Sequence, residues 1–114
     1  METSFRQLDA NEMELLEKLL SREFPGRDAL RLQLSSVAGR QIDDNGSLEL
    51  RPKEDNPAET ELGCPTEGTC ADIDGGLIAV LLHVKNGKMR LLEIFKEDGS
   101  EIQRAPDAEN LAVY

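Results

Sequence analysis

Residues 76–95, GLIAVLLHVKNGKMRLLEIF, place two apolar runs on either side of Asn86-Gly87, and no other stretch limits the fold as much. Asn-Gly supplies the two positive-φ positions of a type I′ turn, whose twist matches that of the strands it joins. A two-residue loop also sets the register. It puts Lys85 opposite Lys88, Val84 opposite Met89, Leu82 opposite Leu91 and Ile78 opposite Phe95. Side chains alternate between faces along a strand. One face therefore carries Ile78, Val80, Leu82, Val84, Met89, Leu91 and Phe95, interrupted by Glu93. The other carries Leu77, Ala79, Leu81, His83, Arg90, Leu92, Ile94 and Lys96, apolar in the middle and polar at the ends. A sheet that is apolar on both sides needs cover on both sides.

The rest of the chain supplies helices for one of those sides. Asp9 and Glu12 have capping-box spacing, and Leu8 can staple onto Met13. Met13, Leu16, Leu19 and Leu20 follow with helical spacing until Pro25-Gly26 stops the run, which predicts a helix over about 10–23. Residues 27–37 fit either period. Asp28 near the start and the lack of β-branched residues before Val37 favour a short helix at about 27–34. A hairpin is expected from Ser36–Ile42 and Ser47–Arg51 around Asp43-Asp44-Asn45-Gly46. Ser100–Arg104 is expected as a short edge strand, followed by a tail whose Leu111 and Val113 could dock. The fold class is α+β: an N-terminal helix and a short second helix packed on an antiparallel sheet of about four or five strands, all in one domain spanning 1–114.

Residues 52–75 break this pattern. They form an expected irregular loop, rich in proline and glycine, with no apolar period. From Glu54 to Asp74 it carries the acids Glu54, Asp55, Glu59, Glu61, Glu67, Asp72 and Asp74 and no basic residue. The chain as a whole has net charge −10, which argues against nucleic acid and anionic membrane surfaces. It suits a basic protein partner, as in an immunity-like protein neutralising a basic toxin. No apolar signal region precedes the first helix and no window is long enough to span a membrane, so the cytoplasm is the expected address.

Candidate chemistry is sparse. Cys64 and Cys70 could close a small disulfide, but they lack the further ligands of a metal site, and acidic neighbours disfavour a thiolate. Asp43–Leu48 and Asp72–Gly75 echo calcium loops, yet the terminal-glutamate position falls on Pro52 in one and His83 in the other. No cofactor motif is present. Glu93, on an otherwise apolar row, requires a partner such as Arg31 or Arg40. Together with Arg40 and His83 it would line a small-ligand or catalytic pocket, the alternative to a non-catalytic protein-interaction module. Ala79, Leu81, Leu92 and Ile94 form the expected face of a homodimer.

The order of several short motifs resembles a family of small uncharacterised bacterial proteins. They are Phe24-Pro25-Gly26-Arg27, Leu30-Arg31, Gln33-Leu34, Val37, Gly39-Arg40 and Gly63-Cys64-Pro65. Further along come Leu81-Leu82-His83-Val84, Gly87, Leu92-Glu93-Ile94, Asp98-Gly99 and Pro106. Some members carry Cys-Gly-Cys-Pro where Gln41-Ile42-Asp43-Asp44 stands here, so no metal role carries over. The resemblance implies a bacterial cytoplasmic domain and no particular reaction.

Overall fold

The computed structural model describes residues 2–53, 57–60 and 62–114. Two helices, α1 (Ala10–Leu19) and α2 (Arg27–Gln33), pack on a single antiparallel sheet, so the class is α+β. The sheet has seven strands rather than four or five: β1 (Arg6–Gln7), β2 (Ala38–Gln41), β3 (Leu48–Arg51), β4 (Thr66–Ala71), β5 (Leu77–Lys85), β6 (Lys88–Lys96) and β7 (Ala112–Val113). Their order across the sheet is β1-β2-β3-β6-β5-β4-β7.

α1 begins as its sequence predicts. The Asp9 side chain accepts from the Glu12 N–H at 2.8 Å, and the Glu12 carboxylate accepts from the Asp9 N–H at 2.9 Å. It ends earlier than expected. Leu20 is the C-cap, and the Ser21 hydroxyl donates to the Lys18 carbonyl at 2.6 Å, drawing the last turn tight. The apolar side of α1, Leu15, Leu16, Leu19 and Leu20, is sealed against the sheet together with Leu30 of α2. Each such leucine contributes about 1.5–3 kcal/mol of burial free energy.

The central hairpin turns where expected. Asn86 and Gly87 have φ of 54° and 74°, and Lys85 faces Lys88. The turn is held from two sides. The Gln33 side chain donates to the Gly87 carbonyl at 2.8 Å and accepts from the Met89 N–H at 3.1 Å, while the Ala58 N–H donates to the Gly87 carbonyl at 2.7 Å.

Beyond the first two pairs the register departs from the regular one. Val84 faces Met89, but His83 faces Leu91, so Arg90 is an extra residue in β6. This β-bulge moves every later partner by one: Leu82 faces Leu92, Leu81 faces Glu93, Val80 faces Ile94 and Ile78 faces Lys96. A one-residue slip exchanges the faces of a strand. Leu92 and Ile94, expected on the dimer face, are therefore core residues exposed by 0% and 4%. Leu91 and Phe95, expected in the core, take the other face, and Glu93 joins them there.

The segment 52–75 is not wholly irregular, because β4 runs through it and occupies an interior place in the sheet. Its inward positions are Thr66, Gly68 and Cys70, small residues that leave little periodic signal. Gly68 needs its smallness, since a Cβ there would lie 2.8 Å from the Ala112 carbonyl of β7. Of the tail, Leu111 is buried as anticipated. Residues 100–104 form no strand; they are tied down by Asp72 instead.

That tie is an ionic knot. Lys96, carried to the core side by the bulge, reaches Asp72 at 3.0 Å and Asp74 at 2.6 Å, with both the lysine and Asp72 side chains shielded from solvent. Asp72 also accepts from the backbone N–H groups of Ile73, Gln103 and Arg104 at 2.7, 2.8 and 2.9 Å. Hydrogen bonds from Gln103 first, then Lys96, Ile73 and Arg104, hold the Asp72 carboxyl well below the usual carboxylate range. Lys96 is held above its ordinary value by Asp74 and then Asp72.

Two outcomes follow from these features. Deleting Arg90 removes the bulge but leaves Leu91 opposite His83, Leu92 opposite Leu82 and Glu93 opposite Leu81, so the deletion variant is expected to keep a cooperative thermal transition. Arg90→Ala keeps the bulge and should change stability by no more than about 0.5 kcal/mol. Circular dichroism melts of the two variants check this. For Asp72 the unfolded chain binds its proton more tightly, so the stabilisation is complete above the unfolded carboxyl pKa of about 4 and is lost as pH falls below it. Melting temperatures between pH 7 and pH 2.5 should decline less steeply for Asp72→Asn than for the unsubstituted chain, from a lower start at pH 7. The Lys96 contribution has the opposite sense, present below about pH 10 and lost as pH rises through its raised value.

Candidate functional site

Both helices lie on one side of the sheet, and the opposite side is the largest surface on which functional groups gather. Strand pairing places Glu49, Leu91 and His83 in one row across β3, β6 and β5, with Glu67, Leu81 and Glu93 in the next row across β4, β5 and β6. Phe95 pairs with Ala79, and Arg40 with Glu49. Leu77 and Phe95 are exposed by 45% and 36%, whereas Ala79 is closed over by its neighbours.

Two side-chain pairs form on this face. The Arg40 guanidinium meets the Glu49 carboxylate at 2.6 Å, and His83 Nε2 lies 2.8 Å from Glu93 Oε1. The histidine–glutamate contact exists because the bulge removes Glu93 from the core row. The partner is thus His83, and the expected pairing with Arg31 or Arg40 does not form. Arg40 and Arg51 instead stack on the Phe5 ring, at 4.9 and 4.0 Å from its centroid. A guanidinium over an aromatic face is attracted by the ring quadrupole.

Aromatic residues are concentrated here. The chain has three phenylalanines, one tyrosine and no tryptophan. Phe5 lies under the two arginines, Phe95 stands on β6, and Tyr114 follows β7 on the same side, its N–H donating to the Glu67 carbonyl at 3.0 Å. Only Phe24 sits elsewhere, at the edge of the core. Among the described residues the largest fully buried side chains are leucines, Ile78, Met89 and Gln33, with no aromatic ring among them.

The expected pocket of Glu93, Arg40 and His83 is not assembled between helix and sheet. All three belong to the open face, and Arg40 is engaged with Glu49 rather than with the His83–Glu93 pair. Among the described residues a cleft of about 740 Å³ opens between the β1–β2 end of the sheet and the helices, and Glu93, Arg40 and His83 do not line it. The acidic segment is likewise divided. Asp72 and Asp74 turn toward Lys96, and Glu67 belongs to the open face. Glu59 is exposed, and Glu54, Asp55 and Glu61 lie outside the described residues.

Cys64 and Cys70 are separate free thiols. Desolvation pushes both up, aided by Glu67 at Cys64 and by Asp107 at Cys70, which disfavours the nucleophilic thiolate. Among the described residues no group of three or more His, Cys, Asp or Glu side chains is disposed to hold a metal ion, and no helix is long and apolar enough to cross a membrane. Lys96 is the residue that sequence reasoning misplaced most. Its signal was indirect: an unbroken core row can be drawn through Met89, Leu92 and Ile94, and this row carries Lys96 inward with it.

No curated protein and no solved structure matches the chain. A family model does match, over residues 5–106, which includes both helices and every strand except β7. The chain is a member of the domain of unknown function family DUF6984.

Proposed function

We propose that this domain is a non-catalytic protein-interaction module whose docking surface is the open face of the sheet. The observation that carries the reading is the placement of three of the four aromatic rings, with Leu81 and Leu91, on the side that neither helix covers. Aromatic side chains are enriched at protein interfaces because they bury large areas while losing few rotatable bonds. A core built without them implies that they are kept for another contact. Catalysis is poorly supported on the same face. His83 is occupied by Glu93, and the thiol of Cys64 is pushed away from its reactive form.

The net charge of −10 favours a second reading, a basic protein partner held by the outer acids, among them Glu59 and Glu67. It is the weaker reading because Asp72 and Asp74 are committed to Lys96. Such a complex would dissociate as salt rises from 0.05 to 0.5 M, since exposed charges are screened over a few ångströms at high ionic strength. A contact made through the apolar face would persist.

A photo-cross-linking amino acid at position 95, in the full chain expressed in cells, tests the main reading. Protein adducts are expected from position 95 and not from the exposed helical position 14. They should be lost when Leu81→Asp is added. Absence of adducts at 95, or equal yields at both positions, would overturn it.

A further inference from the structure

We infer that the occupant of the open face is an acidic protein segment, with its carboxylates over the Asn86-Gly87 end of the sheet and its apolar side chains toward Phe95. The inference rests on the docking face proposed above and adds the chemistry of the partner.

The sign of the face is the first argument. Among the described strand residues it carries five basic groups, Arg40, Arg51, Lys85, Lys88 and Arg90. Three glutamates, Glu49, Glu67 and Glu93, stand against them. The face is therefore net basic on a chain whose net charge is −10. A patch whose sign opposes that of the whole molecule selects its partner by charge and orients it on approach.

The placement of these groups is the second argument. Lys85 faces Lys88 at the turn, and the exposed bulge residue Arg90 follows one step further along β6. β3 runs antiparallel to β6 with Glu49 opposite Leu91, so Arg51, two residues on, also lies toward the turn. Glu49 is engaged by Arg40 at 2.6 Å, and Glu93 by His83 at 2.8 Å. The positive excess is thus concentrated at the turn, while Leu77, Ala79 and Phe95 make the other end apolar. A segment with acids at one end and apolar side chains at the other matches this division.

Arg51 is suited to receive a carboxylate. Its guanidinium lies 4.0 Å from the centroid of the Phe5 ring, and a stacked guanidinium keeps its N–H groups in plane for bidentate donation. A nucleic acid fits less well. Its charge recurs along the whole strand, so it would pass over the apolar end and Glu67 and meet the repulsion of a chain at −10.

Titration of the isotope-labelled full chain, read by amide chemical shifts, tests this. The probes are a peptide of four Asp-Glu-Phe repeats, a basic counterpart of four Lys-Lys-Phe repeats, and a thymidine oligonucleotide. The acidic peptide is expected to shift the amides at positions 51, 85, 90 and 95, and the basic peptide to leave them in place. Lys85→Glu combined with Arg90→Glu should weaken the acidic peptide about 10-fold, whereas Arg31→Glu, exposed on the helical side, should not. Lys85→Glu alone, at an exposed site, keeps the test decisive where the double variant fails to fold, with a weakening of about 3-fold. No shifts at about 1 mM acidic peptide, equal shifts from both peptides, or tighter binding of the oligonucleotide at the same amides would overturn the inference. If position 95 still gives protein adducts in cells, the docking face stands and the acidic partner alone is refuted. Failure of both removes the docking face as well.

Discussion

One extra residue in β6 sets the chemistry of both faces of the sheet. Arg90 has no partner of its own, so Leu91 takes the place opposite His83 and the whole strand beyond it is turned over. Three consequences follow from this single bulge. Leu92 and Ile94 complete the aliphatic core, Glu93 leaves the core row and meets His83, and Lys96 swings to the buried side. In the regular register a carboxylate would have stood among Val80 and its neighbours with no counter-ion on its own face. Desolvating that charge costs several kcal/mol, far more than the ladder bond a bulge disrupts.

Lys96 pays for its own burial differently. It sits at the far end of β6, where the Asp72–Gly76 turn between β4 and β5 brings two carboxylates within 3.0 Å. A Cβ on Gly76 would lie 2.7 Å from the Lys96 side chain, so the turn closes on the lysine without a side chain at that position. Because Asp72 also accepts from Gln103 and Arg104, the knot fastens the segment after β6 to the turn before β5. Residues 100–104 thereby gain backbone partners without joining a strand.

The parts of this fold that local chemistry dictates were legible from sequence. Asp9 and Glu12 define the start of α1, and Asn86-Gly87 defines the hairpin turn, since each needs only neighbouring residues. The bulge was not legible in the same way. Leu91 and Leu92 are adjacent and equally apolar, so alternation alone cannot choose which one faces the helices, and the choice is made by where Glu93 and Lys96 find partners. β4 escaped notice because Thr66, Gly68 and Cys70 are small, and β1 and β7 are two residues long, too short for any period. The apolar second face was visible in outline. Its membership was exchanged at Leu92 and Ile94 because the site inherits its register from the bulge.

The two ends of the sheet bear on how the open face could be used. An exposed strand edge is the usual route by which one sheet adds to another, since its N–H and C=O groups are unpaired. Here both edges are two-residue strands, β1 and β7, which offer few such groups. Arg6 of β1 is further drawn inward by Glu12 of α1 at 2.7 Å, so that the edge is braced against the helix layer. With in-plane growth restricted at both ends, the apolar surface that remains is the broad face carrying Leu81, Leu91 and Phe95. A contact there is set by side-chain shape, the Arg40–Glu49 ion pair and the His83–Glu93 hydrogen bond rather than by backbone hydrogen bonds, which favours a defined, closed partner over open-ended assembly.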